Sequence, residues 1–321
     1  MRESTTPMIE ALPLAGKGRL RVGEQALAVA LFAMAIIAWF HPQELALSVR
    51  ASLATVALLY LVAAVALART TQPMLALVRE FLPVPVVPFI FLHLGLLIPL
   101  VHPAHYDRQL EALDRLILGA EAQAALYSLP IPAWLADVLT LAYSTFFFLP
   151  IVLLVALVRA GDPYLPRVTS TVVLTFLVSY AGYFLVPAYG PRAGVAKERY
   201  ASLPAGVVGA PIRELLDHWE KTKTDAFPSG HTMVTLAVLY CARRRTPRLY
   251  TALLPVGALL IAATVLLTYH YVVDVLAGAL TAVVLIPLAN ALYWRLEREP
   301  VVDTARVAAA AAPPPVQSGR S

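Results

Sequence analysis

Two short stretches hold the residue types that acid–base and nucleophilic chemistry needs. Phe227-Pro228-Ser229-Gly230-His231-Thr232 opens an apolar run that ends near Cys241. A proline in the first turn of a helix has its φ pre-set. The run therefore reads as a helix whose first amides, those of Ser229 and Gly230, stand at the positive end of the dipole, where anions bind. His231 follows directly, placed to exchange a proton with whatever the amides hold. The second stretch, Tyr269-His270-Tyr271-Val272-Val273-Asp274, stands at the mouth of another apolar run. His270 and Asp274 are four residues apart, on one face if the segment is helical. A carboxylate accepting from one ring nitrogen fixes the tautomer and leaves the other nitrogen as nucleophile or base. Taken alone, the pair also fits a structural contact that locks two helices. Against that, an Asp inside an apolar span is costly and marks function by default. A third stretch, Tyr189-Gly190-Pro191-Arg192, supplies a guanidinium. It can hold phosphate oxygens bidentately, or as a plain loop residue meet lipid headgroups.

The rest of the chain must position these groups, and its composition says in what solvent. Of 321 residues, 59% are hydrophobic and only 14% charged, which points to an integral membrane protein. The net charge of +5 is modest, and no basic patch is interleaved with aromatics, so nucleic acid is excluded as a partner. The single cysteine, Cys241, excludes an intrachain disulfide and cysteine-based zinc sites. Apolar runs occupy roughly 25–40, 51–68, 81–101, 134–158, 167–187, 228–241, 248–268 and 271–294, about eight spans. The first is expected to be a retained span rather than a signal peptide, because no small-x-small cleavage site follows it. The sixth is short and fits a re-entrant or cavity-lined start.

Basic residues orient the bundle. With the N-terminus cytoplasmic, Arg69, Arg79, Arg159, Arg167, the Arg243-Arg244-Arg245 run, Arg248, Arg295 and Arg298 all fall inside, as the positive-inside rule requires. The 188–227 loop and both histidine stretches are then extracytoplasmic, and both termini cytoplasmic. The organisation expected is a cytoplasmic segment over 1–23 and accessory spans over 24–101. An extracytoplasmic interfacial helix over 102–133 follows, where apolar residues recur at helical spacing among charges. A catalytic helical core fills 134–299. The Ala- and Pro-rich tail, 300–321, reads as disordered.

Gly-Pro-Arg, then Pro-Ser-Gly-His, then His-Tyr-x-x-Asp-x-x-x-Gly, on successive helix ends of one face, resembles the type 2 phosphatidic acid phosphatase superfamily. Within it the chain is most similar to the inositol phosphorylceramide synthase (inositol phosphotransferase) branch. That likeness rests also on Asp114-Arg115-Leu116-Ile117-Leu118-Gly119, the Tyr143-to-Pro150 aromatic run and Tyr183-x-x-x-Pro187. It covers roughly 105–285. The resemblance implies an all-α, polytopic membrane bundle with a phosphatidic acid phosphatase/vanadium haloperoxidase-like core. It implies that His270 attacks phosphorus and becomes a phosphohistidine, with Asp274 orienting it. His231 would protonate the leaving oxygen and then deprotonate the incoming nucleophile. Arg192, Ser229 and Gly230 would bind the phosphate oxygens, without metal or other cofactor.

Two positions depart from the phosphatase pattern. The lysine expected shortly before Arg192 is absent, and the arginine expected six positions before the nucleophile is Thr264. The missing charge could be borrowed from Arg213, Lys221 or Lys223. Fewer cations suit a phosphodiester and favour the transferase branch. The donor would be a phospholipid or polyprenyl phosphate, the acceptor a lipid or polyol alcohol. A lipid phosphate or polyprenyl diphosphate phosphatase, with water as acceptor, remains open. A lipid transporter is the remote alternative, lacking the inverted-repeat signature.

Overall fold

The computed structural model describes residues 18–204, 206–219 and 222–297. The segment 1–17, the tail 300–321 and Lys221 lie outside the described residues. In chain order the helices are α1 (Val22–Phe40), α2 (Leu47–Ala68), α3 (Pro73–Phe81), α4 (Pro83–Val101), α5 (Asp107–Leu118), α6 (Ala120–Ser128) and α7 (Ala133–Ser144). They continue with α8 (Phe148–Arg159), α9 (Leu165–Leu185), α10 (Lys197–Ala201), α11 (Gly209–Trp219), α12 (Gly230–Arg245), α13 (Pro247–Leu266) and α14 (Val272–Glu297). Among the described residues there is no strand, only an isolated bridge between Ala188 and Asp225.

Six helical stretches are long and apolar enough to cross a membrane: α1, α2, α3 with α4, α9, α13 and α14. A seventh is added if α6 and α7, which meet at a 100° bend, form one broken span. The chain is thus an all-α, multi-pass integral membrane protein. The outer face of α14 shows why such a surface suits lipid: Leu280, Val283, Val284 and Leu288 are all more than half exposed. Apolar side chains facing outward are stable only where the solvent is itself apolar. Inward, Leu27, Leu53, Ile90, Leu157 and Val238 join α1, α2, α4, α8 and α12 in one buried cluster.

Two expected runs are divided. The run 134–158 breaks at Thr145–Phe147 into α7 and α8, so that Phe146 turns inward against the rings of His231 and Phe176. The interfacial helix expected within 102–133 is cut at Gly119, whose φ of +85° lets the chain turn where other residues would be strained. Helix α12 carries His231 at one end and the Arg243–Arg245 run at the other. Sixteen residues rising about 1.5 Å each set these ends roughly 24 Å apart. At the basic end Arg245 donates to both oxygens of Asp162 (2.9 and 2.7 Å), and Arg79 pairs with Glu24 at 2.6 Å. That end is held by ion pairs and the other by the groups described next.

Candidate active site

The proline of the Pro-Ser-Gly-His stretch is not the first helical residue. Helix α12 starts at Gly230, and Ser229 is its N-cap, its Oγ accepting from the Thr232 amide at 3.2 Å. A serine hydroxyl satisfies an otherwise orphaned helix donor there, which a proline cannot do. The Ser229 amide, expected to be open for an anion, donates to the Asp274 carbonyl at 3.0 Å. This bond ties the start of α12 to the first turn of α14. Gly278, one turn further along α14, lets the contact form: a Cβ there would lie 2.7 Å from the Ser229 carbonyl oxygen.

The two helix starts bring the histidines together. His231 Nδ1 lies 3.2 Å from His270 Nε2. His270 Nδ1 lies 2.7 Å from the Ala226 carbonyl and 3.4 Å from Asp274 Oδ2. A carbonyl only accepts, so His270 carries its proton on Nδ1, and Nε2 is left as a lone pair. The His231 Nδ1 facing that lone pair must then be a donor. The tautomer of His270 is set chiefly by Ala226, whereas Asp274 was expected to set it. Asp274 Oδ2 accepts the Tyr271 amide at 2.8 Å, and Oδ1 is buried with no hydrogen-bond partner among the described residues. The carboxyl group stands beside the ring, with Oδ2 close to Nδ1.

Aromatic rings wall the pair. Tyr143 stacks on His231 (centroids 4.6 Å) and on Tyr269 (4.4 Å), and Phe146 lies 4.2 Å from the His231 ring. Arg192 enters from the short 3-10 turn Pro191–Ala193. Its amide donates to the Thr268 carbonyl at 3.0 Å, and its guanidinium lies over the Tyr269 ring at 4.7 Å and 4.0 Å from Asp225. Gly190, with φ of +83°, permits this: any Cβ would collide with the Tyr269 carbonyl. Thr264, where an arginine was expected, is fully buried. Its carbonyl accepts the amides of both Tyr269 and His270 at 2.9 Å, so the position shapes the loop that presents the nucleophile. Arg213 is engaged by the Pro204 carbonyl (2.6 Å) and Thr140 Oγ1 (3.3 Å).

Thus His231, His270 and Asp274 converge, with Ser229 and Gly230 at the helix start beside them and Arg192 on the adjoining loop. Ala226 left no signal in the sequence, because it acts through its carbonyl. Arg199 was missed as well; it donates to the carbonyls of Leu126 and Leu266 and fastens the same loop from outside.

The fold and site are those of a helical membrane bundle in which two histidines face each other near the starts of two helices, beside an arginine loop. The family model for the PAP2 superfamily matches residues 108–288, from α5 into α14 and more than half of the chain. The chain belongs to the PAP2 superfamily, which makes it a lipid enzyme of phosphatase or phosphotransferase type. No curated protein and no solved structure gives a significant match.

Proposed function

We propose that the chain transfers a phosphate-containing group from a lipid donor to an alcohol acceptor through a phosphohistidine at His270, as in the inositol phosphotransferase-like branch. The observation that carries this reading is the lone pair on His270 Nε2, fixed by Ala226 and faced at 3.2 Å by a donor nitrogen of His231. In the first step Nε2 forms a bond to phosphorus while the bond to the leaving oxygen breaks, and the His231 proton passes to that oxygen. In the second step the acceptor hydroxyl attacks phosphorus, its proton goes to His231, and the N–P bond breaks. A phosphoryl group between the two nitrogens needs more room than 3.2 Å, so substrate must part the rings. Arg192 and the Gly230 end of α12 stabilise the equatorial oxygens in this scheme. No step calls for a metal.

Two features support a lipid donor and an acceptor other than water. A cavity of roughly 100 Å3, lined almost wholly by apolar side chains of α4, α8 and α9, reaches Phe147 and Phe176. Their rings contact Phe146, which touches His231, so the Phe146 ring stands between that cavity and the histidines. The Tyr143 and Phe146 walls shield the intermediate from water, which favours transfer over hydrolysis. The Arg243–Arg245 run at the far end of α12 supports an extracytoplasmic site with both termini cytoplasmic. The test is purified protein in lipid with labelled phospholipid and polyprenyl phosphate donors, with and without alcohol acceptors. A new labelled product that forms only with acceptor is expected. Release of phosphate or headgroup phosphate at a rate indifferent to acceptor would make the enzyme a phosphatase.

A further inference from the structure

Helix α5 turns Leu110 and two aspartates toward the bundle. Leu113, Leu116 and Ile117 are exposed, Leu116 to 81%, while Asp114 on the inner side is fully buried. Asp107 and Asp114 are seven residues apart, two turns, and so share a face. A carboxylate on the buried side of an amphipathic helix is retained only if its oxygens are satisfied, and here backbone amides of the catalytic loops do so. Asp114 Oδ1 accepts the Val273 amide at 2.7 Å. Its Oδ2 accepts the Val272 amide at 3.0 Å and the Tyr127 hydroxyl at 3.2 Å. These amides are the first two of α14, so Asp114 caps in trans the helix that begins just after His270. Asp107 does the same for the arginine loop. Its Oδ1 accepts the Gly190 amide at 2.9 Å, and its Oδ2 the Tyr189 amide at 3.1 Å. Burial, then the Asp107 charge, pushes the Tyr271 hydroxyl far above its ordinary range. It therefore stays protonated and donates to Asp107 at 3.4 Å, closing the circle between the two loops.

We infer that Asp107 and Asp114 of α5 are positioning residues, a two-point clamp that fixes the Arg192 loop through Asp107 and the His270–Asp274 helix start through Asp114. The inference rests on the roles proposed above for His270 and Arg192. Among the described residues no three His, Cys, Asp or Glu side chains are grouped so as to hold a metal ion. The oxygens of both carboxylates go to amides and hydroxyls. The two points have separable consequences. Asp114 aligns the nucleophile, which acts on the chemical step. Asp107 aligns the guanidinium, which acts on holding the lipid phosphate.

The experiment compares Asp107→Ala, Asp114→Ala and the near-isosteric Asp114→Asn in full-length protein in lipid, on whichever labelled donor the wild type uses. Misalignment of a reacting group costs about 10- to 100-fold, so Asp114→Ala is expected to lose that much kcat with KM within about threefold. Asp107→Ala is expected to raise KM about tenfold with a smaller change in kcat. Asp114→Asn keeps one accepting oxygen and should recover part of the loss; it also serves if Asp114→Ala fails to fold. Binding of orthovanadate, a phosphoryl mimic, gives a readout without turnover and should weaken in Asp107→Ala. Folded variants with kcat and KM both at wild-type values would overturn the clamp while leaving the site intact. So would losses in both constants that merely follow a fall in Tm. A wild type that neither turns over any donor nor binds orthovanadate would overturn the reading of the site, and the clamp with it.

Discussion

Replacing Asp274 by Asn exchanges a carboxyl group for an amide of nearly the same shape and changes little else. The amide oxygen can still accept the Tyr271 amide, and the Ser229 bond to the Asp274 carbonyl is main-chain. The nearest carboxylate oxygen is 3.4 Å from His270 Nδ1. An ionised carboxylate at that distance, with an effective dielectric of about 20, attracts a full positive charge on Nδ1 by roughly 5 kcal/mol. The charge that develops as Nε2 bonds to phosphorus spreads over the ring, so about half acts on the barrier. Roughly 2–3 kcal/mol is about two decades in rate. Where the carboxylate alone fixes the tautomer, as in serine protease triads, the same change costs about 10⁴ in kcat. Ala226 holds the tautomer here, so the loss expected is about 10²-fold. The assay is rapid-quench measurement of labelled protein formed in a single turnover, with donor affinity measured alongside. A rate within threefold of wild type would make His270 and Asp274 a structural pair. A loss near 10⁴ would give the tautomer to Asp274 and refute the role assigned to Ala226.

Further outcomes follow from the same geometry. Arg192→Lys replaces a planar fork with a point charge and should raise KM for the lipid phosphate about tenfold, read by steady-state kinetics, with kcat less affected. Gly278→Ala places a Cβ 2.7 Å from the Ser229 carbonyl and pushes α14 from α12. Overpacking of this kind costs about 1–3 kcal/mol, so Tm should fall and kcat fall with it as the histidines separate. Tyr143→Ala opens the wall on His231 and should raise the ratio of hydrolysis to transfer, scored as phosphate released per mole of transfer product. An unchanged ratio would show that Tyr143 does not exclude water.

The groups that do chemistry were legible because their residue types are costly where they stand. Two histidines and an aspartate at the mouths of apolar runs need a reason. The spacing of four suggests one helix face, but His270 lies in the turn before α14, which starts at Val272, and the turn brings it to Asp274. The runs themselves gave most helices to within a few residues. What was hidden depends on backbone or on direction. Ala226 acts through a carbonyl that every residue has. The break at Thr145–Phe147 leaves hydropathy unchanged, so the inward turn of Phe146 onto His231 was read as continuous helix. Pro228 looked like the first helical residue because the cap is a matter of which side chain reaches the Thr232 amide. Asp114 is the sharpest case: the sequence marks it only as part of a motif in an interfacial helix, and packing alone shows it accepting the Val272 and Val273 amides.

The central claim is a covalent phosphorus–nitrogen bond at His270. It is tested most directly by quenching the enzyme during turnover of a phosphorus-labelled donor and mapping the label by mass spectrometry, with His270→Ala and His231→Ala beside it. The account expects an acid-labile phosphoryl adduct on His270 in the wild type and none in His270→Ala. His231→Ala should form the adduct slowly if at all. Turnover in His270→Ala above a tenth of wild type, or label on another residue, would contradict it.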